Sequence, residues 1–295
     1  MVQTMNKYIF ALGTFDGVHL GHQRLLAAAG ELGAQVGAAC GVYTFADLPR
    51  ATVEHRAIGM LTTALQKYDL LRAAGAETVV AEPFAKVKDL SPEQFIYYLI
   101  GAYGAQGFVC GKDFRFGKGG AGDAAALARI CKSVGKEWTV IDFLQDRRGQ
   151  KISSRHIRDY VSAGNMEAAT AAMGRPFFIE GAVVHGKGLA RQWGTPTINI
   201  PLPDMLVRPR FGVYATRVTV ENACYLGVTN VGVRPTVDDG ETPNVETFIL
   251  DATFDSVEKA KVEFLQFIRP EQAFADEKSL QFQITKDIQT VREIW

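Results

Sequence analysis

Cysteine is scarce and scattered. The four thiols, Cys40, Cys110, Cys131 and Cys224, include no Cys-x-x-Cys pair, so neither a thiolate zinc site nor a disulfide framework is implied, and they read as buried reduced thiols. An excess of either charge is missing as well. With 32 basic side chains against 32 acidic ones, the whole-molecule field that holds nucleic acid or an anionic membrane is absent, although local phosphate sites remain open. No apolar stretch is long enough to span a bilayer, and the first residues, a brief Tyr8–Gly13 run that meets Asp16, lack a secretory profile. The expected location is therefore the cytoplasm. Repeats and low-complexity tracts are absent too, whereas 47% hydrophobic and 22% charged residues are ordinary for a soluble globular chain. At 295 residues there is room for two domains, each with its own core. Oligomeric state is left open.

Up to about residue 175 the chain alternates β-type runs with helical periods. Tyr8–Phe15, a helix over His19–Leu32 and Val36–Phe45 come first. Leu61, Leu65, Tyr68 and Leu71 then recur at helical spacing on one face, before a short strand at Thr78–Ala81. Ser91–Tyr103 (helix), Gly107–Gly111 (strand), a helix opening near Asp123 and Trp138–Phe143 (strand) continue the alternation. Such alternation predicts a mostly parallel sheet covered on both faces, with ligands at the carboxyl ends of its strands. The helical segment Ser153–Met173 joins this half to the next. From Phe177 to Ile268 six β-type runs are separated by Gly, Pro, Asn and Asp turn signals, which reads as a small antiparallel barrel. Leu280, Ile284, Ile288 and Val291 form the apolar stripe of a terminal helix expected to pack on it.

The strongest local signal is Gly13-Thr14-Phe15-Asp16-Gly17-Val18-His19-Leu20-Gly21-His22, where the first strand gives way to the first helix. His19 and His22 are three apart, so their rings share one helix face, and the helix end adds unpaired N–H groups and the positive end of its dipole. Gly13, Gly17 and Gly21 let the backbone approach an anion closely. This combination suits a triphosphate and in-line nucleotidyl or phosphoryl transfer. A metal site at the two histidines is a weaker alternative, because no third ligand stands nearby in sequence.

His19-Leu20-Gly21-His22 resembles the His-x-Gly-His signature of the nucleotidylyltransferase superfamily, and the longer motif resembles its FAD synthetase branch. Gly111-Lys112-Asp113-Phe114-Arg115-Phe116-Gly117 is similar to a segment on the flavin side of that site, which implies flavin contacts at Asp113, Phe114 and Phe116. Ile152-Ser153-Ser154-Arg155-His156-Ile157-Arg158 is similar to a further family segment. There Ser153 and Ser154 can cap a helix, while Arg158, one turn on, can bind departing pyrophosphate.

In the second half, Gly186-Lys187-Gly188 and Gly194 belong to a Gly-rich loop that runs into Thr195-Pro196-Thr197-Ile198-Asn199. Thr197 and Asn199 point to the same side of a strand and can serve a hard cation such as Mg2+, though a polar strand face has the same pattern. The stretch resembles the Gly-x-Pro-Thr-Ala-Asn motif of riboflavin kinases, with Ile198 in place of Ala. The segments around Gly212-Val213-Tyr214, Gly227 to Thr236 with Arg234, and Val245-Glu246-Thr247 follow in that family's order. By the resemblance, Glu246 is the general base that takes the proton of the ribityl 5′-hydroxyl. Three places depart from the family pattern. Phe45-Ala46-Asp47-Leu48-Pro49 lacks a usual histidine, Arg155 replaces a threonine, and Asp251–Lys259 replaces the usual stretch, with Phe248 at a histidine position.

The resemblance as a whole is to bacterial bifunctional riboflavin kinase/FAD synthetase. It implies an FMN adenylyltransferase domain over residues 1–175 and a riboflavin kinase barrel over 176–295. ATP, Mg2+, riboflavin, FMN and FAD are the expected small molecules, with no nucleic acid or membrane partner. Two rival readings of the same scaffold are one active module supported by a flavin-binding one, and a flavin sensor without ATP turnover.

Overall fold

The strand Tyr8-Ile9-Phe10-Ala11-Leu12 (β1) has no polar face: four of its five residues are buried, as a central strand covered on both sides requires. Its side chains alternate between two cores. Phe10 and Leu12 pack with Phe95, Leu99, Phe108, Leu127 and Ile130, whereas Ile9 and Ala11 pack with Leu25, Leu26, Ala29 and Leu71. The computed structural model describes residues 7–46, 59–184, 197–234, 242–252, 254 and 256–294.

The parallel sheet is completed by β2 (Ala39–Phe45), β3 (Thr78–Glu82), β4 (Ala105–Gly111) and β5 (Glu137–Ile141), in the order β3-β2-β1-β4-β5. The helices α1 (Leu20–Val36) and α2 (Ala64–Ala73) supply residues to one core, and α3 (Pro92–Tyr103) and α4 (Ala124–Ser133) to the other. The strand order reverses beside β1, and the crevice of such a sheet opens there, outside the carboxyl ends of β1 and β4. Asp123 caps α4 by accepting the Ala126 N–H at 2.8 Å, as the sequence predicts for a helix opening there.

Several expectations are corrected. The first helix runs on to Val36, because only at Gly37 does a left-handed residue (φ 66°) end it, and the next strand therefore starts at Ala39. Leu61 precedes α2, and Leu65 and Tyr68 are 70% and 40% exposed; the buried face of that helix is Gln66, Lys67 and Leu71. The expected apolar stripe fails because a buried cation takes its place. The Ser153–Met173 segment is helical as expected, and consists of two helices, α5 (Ser154–Ala163) and α6 (Met166–Met173), separated by Gly164 at φ 79° and an Asn165 cap. Cys40, Cys110 and Cys131 are buried, but Cys224 is exposed near the start of its strand.

The chain divides into two compact units, Met1–Ser154 and Arg155–Trp295. The second carries an antiparallel sheet of β6 (Phe177–Ala182), β7 (Thr197–Pro201), β8 (Gly212–Val220), β9 (Ala223–Arg234), β10 (Thr242–Ile249) and β11 (Lys259–Arg269), in the order β6-β11-β8-β9-β10-β7. It curls until its two ends meet: the Val184 N–H donates to the Asn199 carbonyl at 2.9 Å. Thr216, Thr229 and Thr247 are wholly buried and run hydroxyl to hydroxyl across β8, β9 and β10 at 2.7 and 2.9 Å, ending on the Gly227 carbonyl. The terminal helix α7 (Glu277–Ile294) seats Val291 against Ala215 and Leu250. Its buried Asp287 accepts two guanidinium nitrogens of Arg269 at 2.7 and 3.0 Å, a fork that fixes the helix to β11. Among the described residues no helix is long and apolar enough to cross a membrane.

Candidate functional site

The loop from β1 to α1 is strained. Phe15, Gly17 and Val18 all lie in the left-handed region, at φ 52°, 80° and 40°. For a β-branched valine this is costly, on the order of 1–3 kcal/mol, and it persists because the Phe15 and Val18 side chains are buried in the core. Gly17 is required twice over: a Cβ there would sit 2.7 Å from Leu61 Cδ1. Asp16 is wholly buried, its Oδ1 accepting the Leu61 N–H at 2.8 Å, and its carbonyl accepts the Ser154 hydroxyl at 2.9 Å. Ser154 therefore ties its segment to the β1–α1 loop.

The loop delivers His19 as the cap of α1. Its Nδ1 accepts the His22 backbone N–H at 3.3 Å, so the other ring nitrogen, Nε2, carries the proton of the neutral tautomer. The His19 and His22 rings stack, centroids 3.6 Å apart and 18° from parallel, with the Phe15 ring 5.0 Å from that of His22. Gly21 makes this possible, since a Cβ would stand 3.1 Å from the His19 ring. Burial pushes the His22 pKa well below 6.5, and the nearby His19 and Lys67 add to the effect. His22 Nδ1 is shut from solvent without a hydrogen-bond partner.

Both imidazoles line a cavity of about 560 Å³. Gly13 and Gly21 also line it, as do Asp113, Phe114, Phe116, Ser153 and Ser154, whereas Phe15, Asp16 and Gly17 pack behind. The Phe114 and Phe116 rings lie stacked, 5.7 Å apart and 13° from parallel, and Phe45, Phe84 and Phe95 complete an apolar wall. At the mouth the Lys151 ammonium pairs with Asp113 and lies 5.6 Å from the centre of the Phe143 ring.

Two supports were not foreseen from sequence. Lys67 is 5% exposed and donates to the Phe45 carbonyl at 2.8 Å, fixing the end of β2 beside the histidines. Behind the wall, the Tyr43 ring meets Phe45 and Phe95 edge-on, and its hydroxyl donates to Glu82 at 2.8 Å. Tyr98 and Tyr103 donate to the same carboxylate at 2.7 and 2.6 Å, and Lys86 pairs with it. Burial alone would raise the Glu82 pKa, but these donors bring it down to about 2. Neither Lys67 nor Glu82 lies in a recognisable motif; Lys151, by contrast, directly precedes the Ile152-Ser153-Ser154 segment.

Arg158 lies on α5 in the second unit, one turn after Ser154, and Arg155 is exposed at the start of that helix. On the barrel, Thr197 and Asn199 share a face of β7, and Glu246 of β10 lies opposite Asn199 in register. The Thr197 hydroxyl donates to Glu246 Oε1 at 3.0 Å. Asn199 is 1% exposed; its Oδ1 accepts Asn244 Nδ2 at 2.6 Å, and its own Nδ2 is buried without a partner. Arg234 ends β9, while Gly186, Lys187, Gly188 and Gly194 lie outside the described residues, as do Asp47–Pro49 of the departing segment.

The family model for FAD synthetase matches residues 2–156, and that for riboflavin kinase matches residues 173–295. The bifunctional riboflavin kinase/FMN adenylyltransferase of Listeria monocytogenes is 32% identical over 98% of this chain and 92% of its own length. The chain belongs to the bifunctional riboflavin kinase/FMN adenylyltransferase family. Its Bacillus subtilis relative of that name is 34% identical over 96% of this chain and 91% of its own length. A solved Streptococcus pneumoniae structure described as a macrolide-efflux protein superposes with a TM-score of 0.89 at 29% identity, covering 98% of this chain and 95% of that one. Membership accounts for the architecture of two dissimilar units in one polypeptide, with the histidine pair in the first and the Thr-Asn-Glu cluster in the second.

Proposed function

We infer that the protein makes FAD from riboflavin in two ATP-dependent transfers, with residues 1–175 acting as FMN adenylyltransferase and residues 176–295 as riboflavin kinase. The observation that carries the first assignment is the stacked imidazole pair at the N-terminus of α1, on the wall of a cavity that Phe45, Phe84, Phe95, Phe114 and Phe116 also line. The rings suit a flat isoalloxazine, and the helix end and histidines suit phosphates. An oxygen of the FMN phosphate attacks the α-phosphorus of ATP, and the bond from that phosphorus to the bridging oxygen breaks, releasing pyrophosphate. His19 Nε2–H is a neutral donor in a fixed tautomer, placed to offset charge that develops on phosphoryl oxygens. The partnerless His22 Nδ1 is a second group awaiting a ligand atom. Arg158, in this reading, holds the departing pyrophosphate.

In the kinase unit Glu246 accepts the proton of the ribityl 5′-hydroxyl as that oxygen attacks the γ-phosphorus of a second ATP, with ADP leaving. Gly186, Lys187, Gly188, Gly194 and Arg234 are assigned to the nucleotide. The side chains present suit Mg2+ by their oxygens: Thr197 and Asn199 carry neutral oxygens beside the Glu246 carboxylate, the Asn199 oxygen becoming available once its amide, whose unused atom is the Nδ2 donor, is turned. Bound there, Mg2+ supplies charge neutralisation on the transferring phosphoryl group. The protein is assigned to the cytoplasm.

Two substitutions test the division of labour. With riboflavin and FMN supplied separately with ATP and Mg2+, and products separated by chromatography, His22→Ala abolishes FAD formation and leaves FMN formation intact. Glu246→Gln does the reverse. If both variants retain both products, the assignment is wrong.

A further inference from the structure

We propose that Asn244 orients the Asn199 amide toward the cation of the kinase site; the proposal rests on the cation-binding reading of Thr197 and Asn199. Asn244 stands two residues before Glu246 on β10, so the two side chains share a face, and Asn199 lies opposite Glu246 on β7. The two amides meet at 2.6 Å, with Asn244 Nδ2 donating to Asn199 Oδ1. That arrangement leaves Asn199 Nδ2, a donor, buried without an acceptor in a side chain 1% exposed.

A buried donor left without an acceptor is unfavourable. Amide oxygen and nitrogen exchange places when the group turns by 180°, and turning both groups keeps the bond between them. Asn199 Nδ2 then donates to Asn244 Oδ1, and the oxygen of Asn199 occupies the position that had no partner. A divalent cation repels the first arrangement and selects the second. Asn244 can serve both, because its amide either donates or accepts; it is a positioning residue, acting on the cation only through Asn199.

The test is Mn2+ binding to the full-length protein in the presence of ADP, read from the free Mn2+ signal in electron paramagnetic resonance. Riboflavin binding without metal is read in parallel from quenching of flavin fluorescence. Asn244→Leu removes the partner of Asn199, and Mn2+ affinity falls by about tenfold or more while riboflavin affinity is unchanged. Asn244→Asp can only accept, forces Asn199 to present its oxygen, and binds Mn2+ at least as tightly as the parent. Loss of Mn2+ affinity in Asn244→Asp overturns the proposal, as does wild-type affinity in Asn244→Leu. Asn199→Leu separates the two levels of argument. If it abolishes Mn2+ binding while Asn244→Leu does not, only the role of Asn244 is wrong; if it has no effect, the cation-binding reading itself falls, and the role of Asn244 with it.

Discussion

Acidification should weaken the first unit through the buried imidazole of His22. Its burial, with His19 and Lys67 close by, holds its pKa in the folded chain well below the 6.5 of an exposed histidine. Below pH 6.5 the unfolded chain binds a proton that the folded one refuses, so stability falls as pH falls. For as long as the folded ring stays neutral, each pH unit costs about 1.4 kcal/mol, so the loss from pH 7 to pH 5 is at most about 2 kcal/mol. For a unit of this size that corresponds to about 4–8 °C in Tm. His22→Asn cannot titrate. Scanning calorimetry of both proteins between pH 7 and pH 5 should show the parent losing more than the variant, by up to about 4–8 °C, in the transition of the first unit. A saturating non-hydrolysable ATP analogue should flatten the parent's curve, because the triphosphate offsets the cost of charging the ring. Parallel melting curves for parent and variant would refute the reasoning, whatever their absolute stabilities.

Glu82→Gln should lower stability at pH 7 by about 2 kcal/mol, below the roughly 3 kcal/mol that a pKa drop from 4.5 to about 2 converts to, because Lys86 is 53% exposed and its attraction is screened. Since the folded pKa is depressed, this difference is complete above pH 4.5 and closes as pH falls from 4.5 toward 2, which urea titrations at several pH values measure. Gly17→Ala should cost about 3 kcal/mol, from φ 80° and the 2.7 Å approach to Leu61, and should slow FAD formation more than FMN formation in a two-substrate assay. A thiol titration with a disulfide reagent should find one fast thiol in the native protein, Cys224, and four after unfolding; burial raises the pKa of Cys110 to about 12, and Cys40 and Cys131 are shielded likewise. A Cys224→Ser variant that retains the fast thiol would contradict this.

The histidine pair was legible because its two requirements, a helix start and a spacing of three, are both local. The parallel sheet was legible for the same reason, as each strand and helix announces its own period. Lys67 was not. Its helix was read by an apolar stripe through Leu65 and Tyr68, and nothing in a single sequence tells that a lysine there is pulled inward by the Phe45 carbonyl, 22 residues away. The Glu82 cluster escaped likewise, since it gathers Tyr43, Tyr98 and Tyr103 from β2 and α3 around the end of β3, a meeting set by strand order alone. Cys224 was misread because scarcity was taken for burial. Asn244 stands just before the Val245-Glu246-Thr247 motif and was not singled out, since its partner is 45 residues away and only strand pairing brings them together.

The threonine ladder inside the barrel has a polarity. If Thr216 gives its proton to the Gly227 carbonyl, it must receive one from Thr229, which must in turn receive one from Thr247. Such a chain works in only one alignment of the three strands; sliding β10 by a single residue would point the Thr247 hydroxyl outward and leave Thr229 without its donor. Thr247 is the immediate neighbour of Glu246 on the opposite face. The interior thus acts as a detent for the exterior: the geometry that aims a carboxylate at an alcohol is clicked into place by hydroxyls that never meet the substrate.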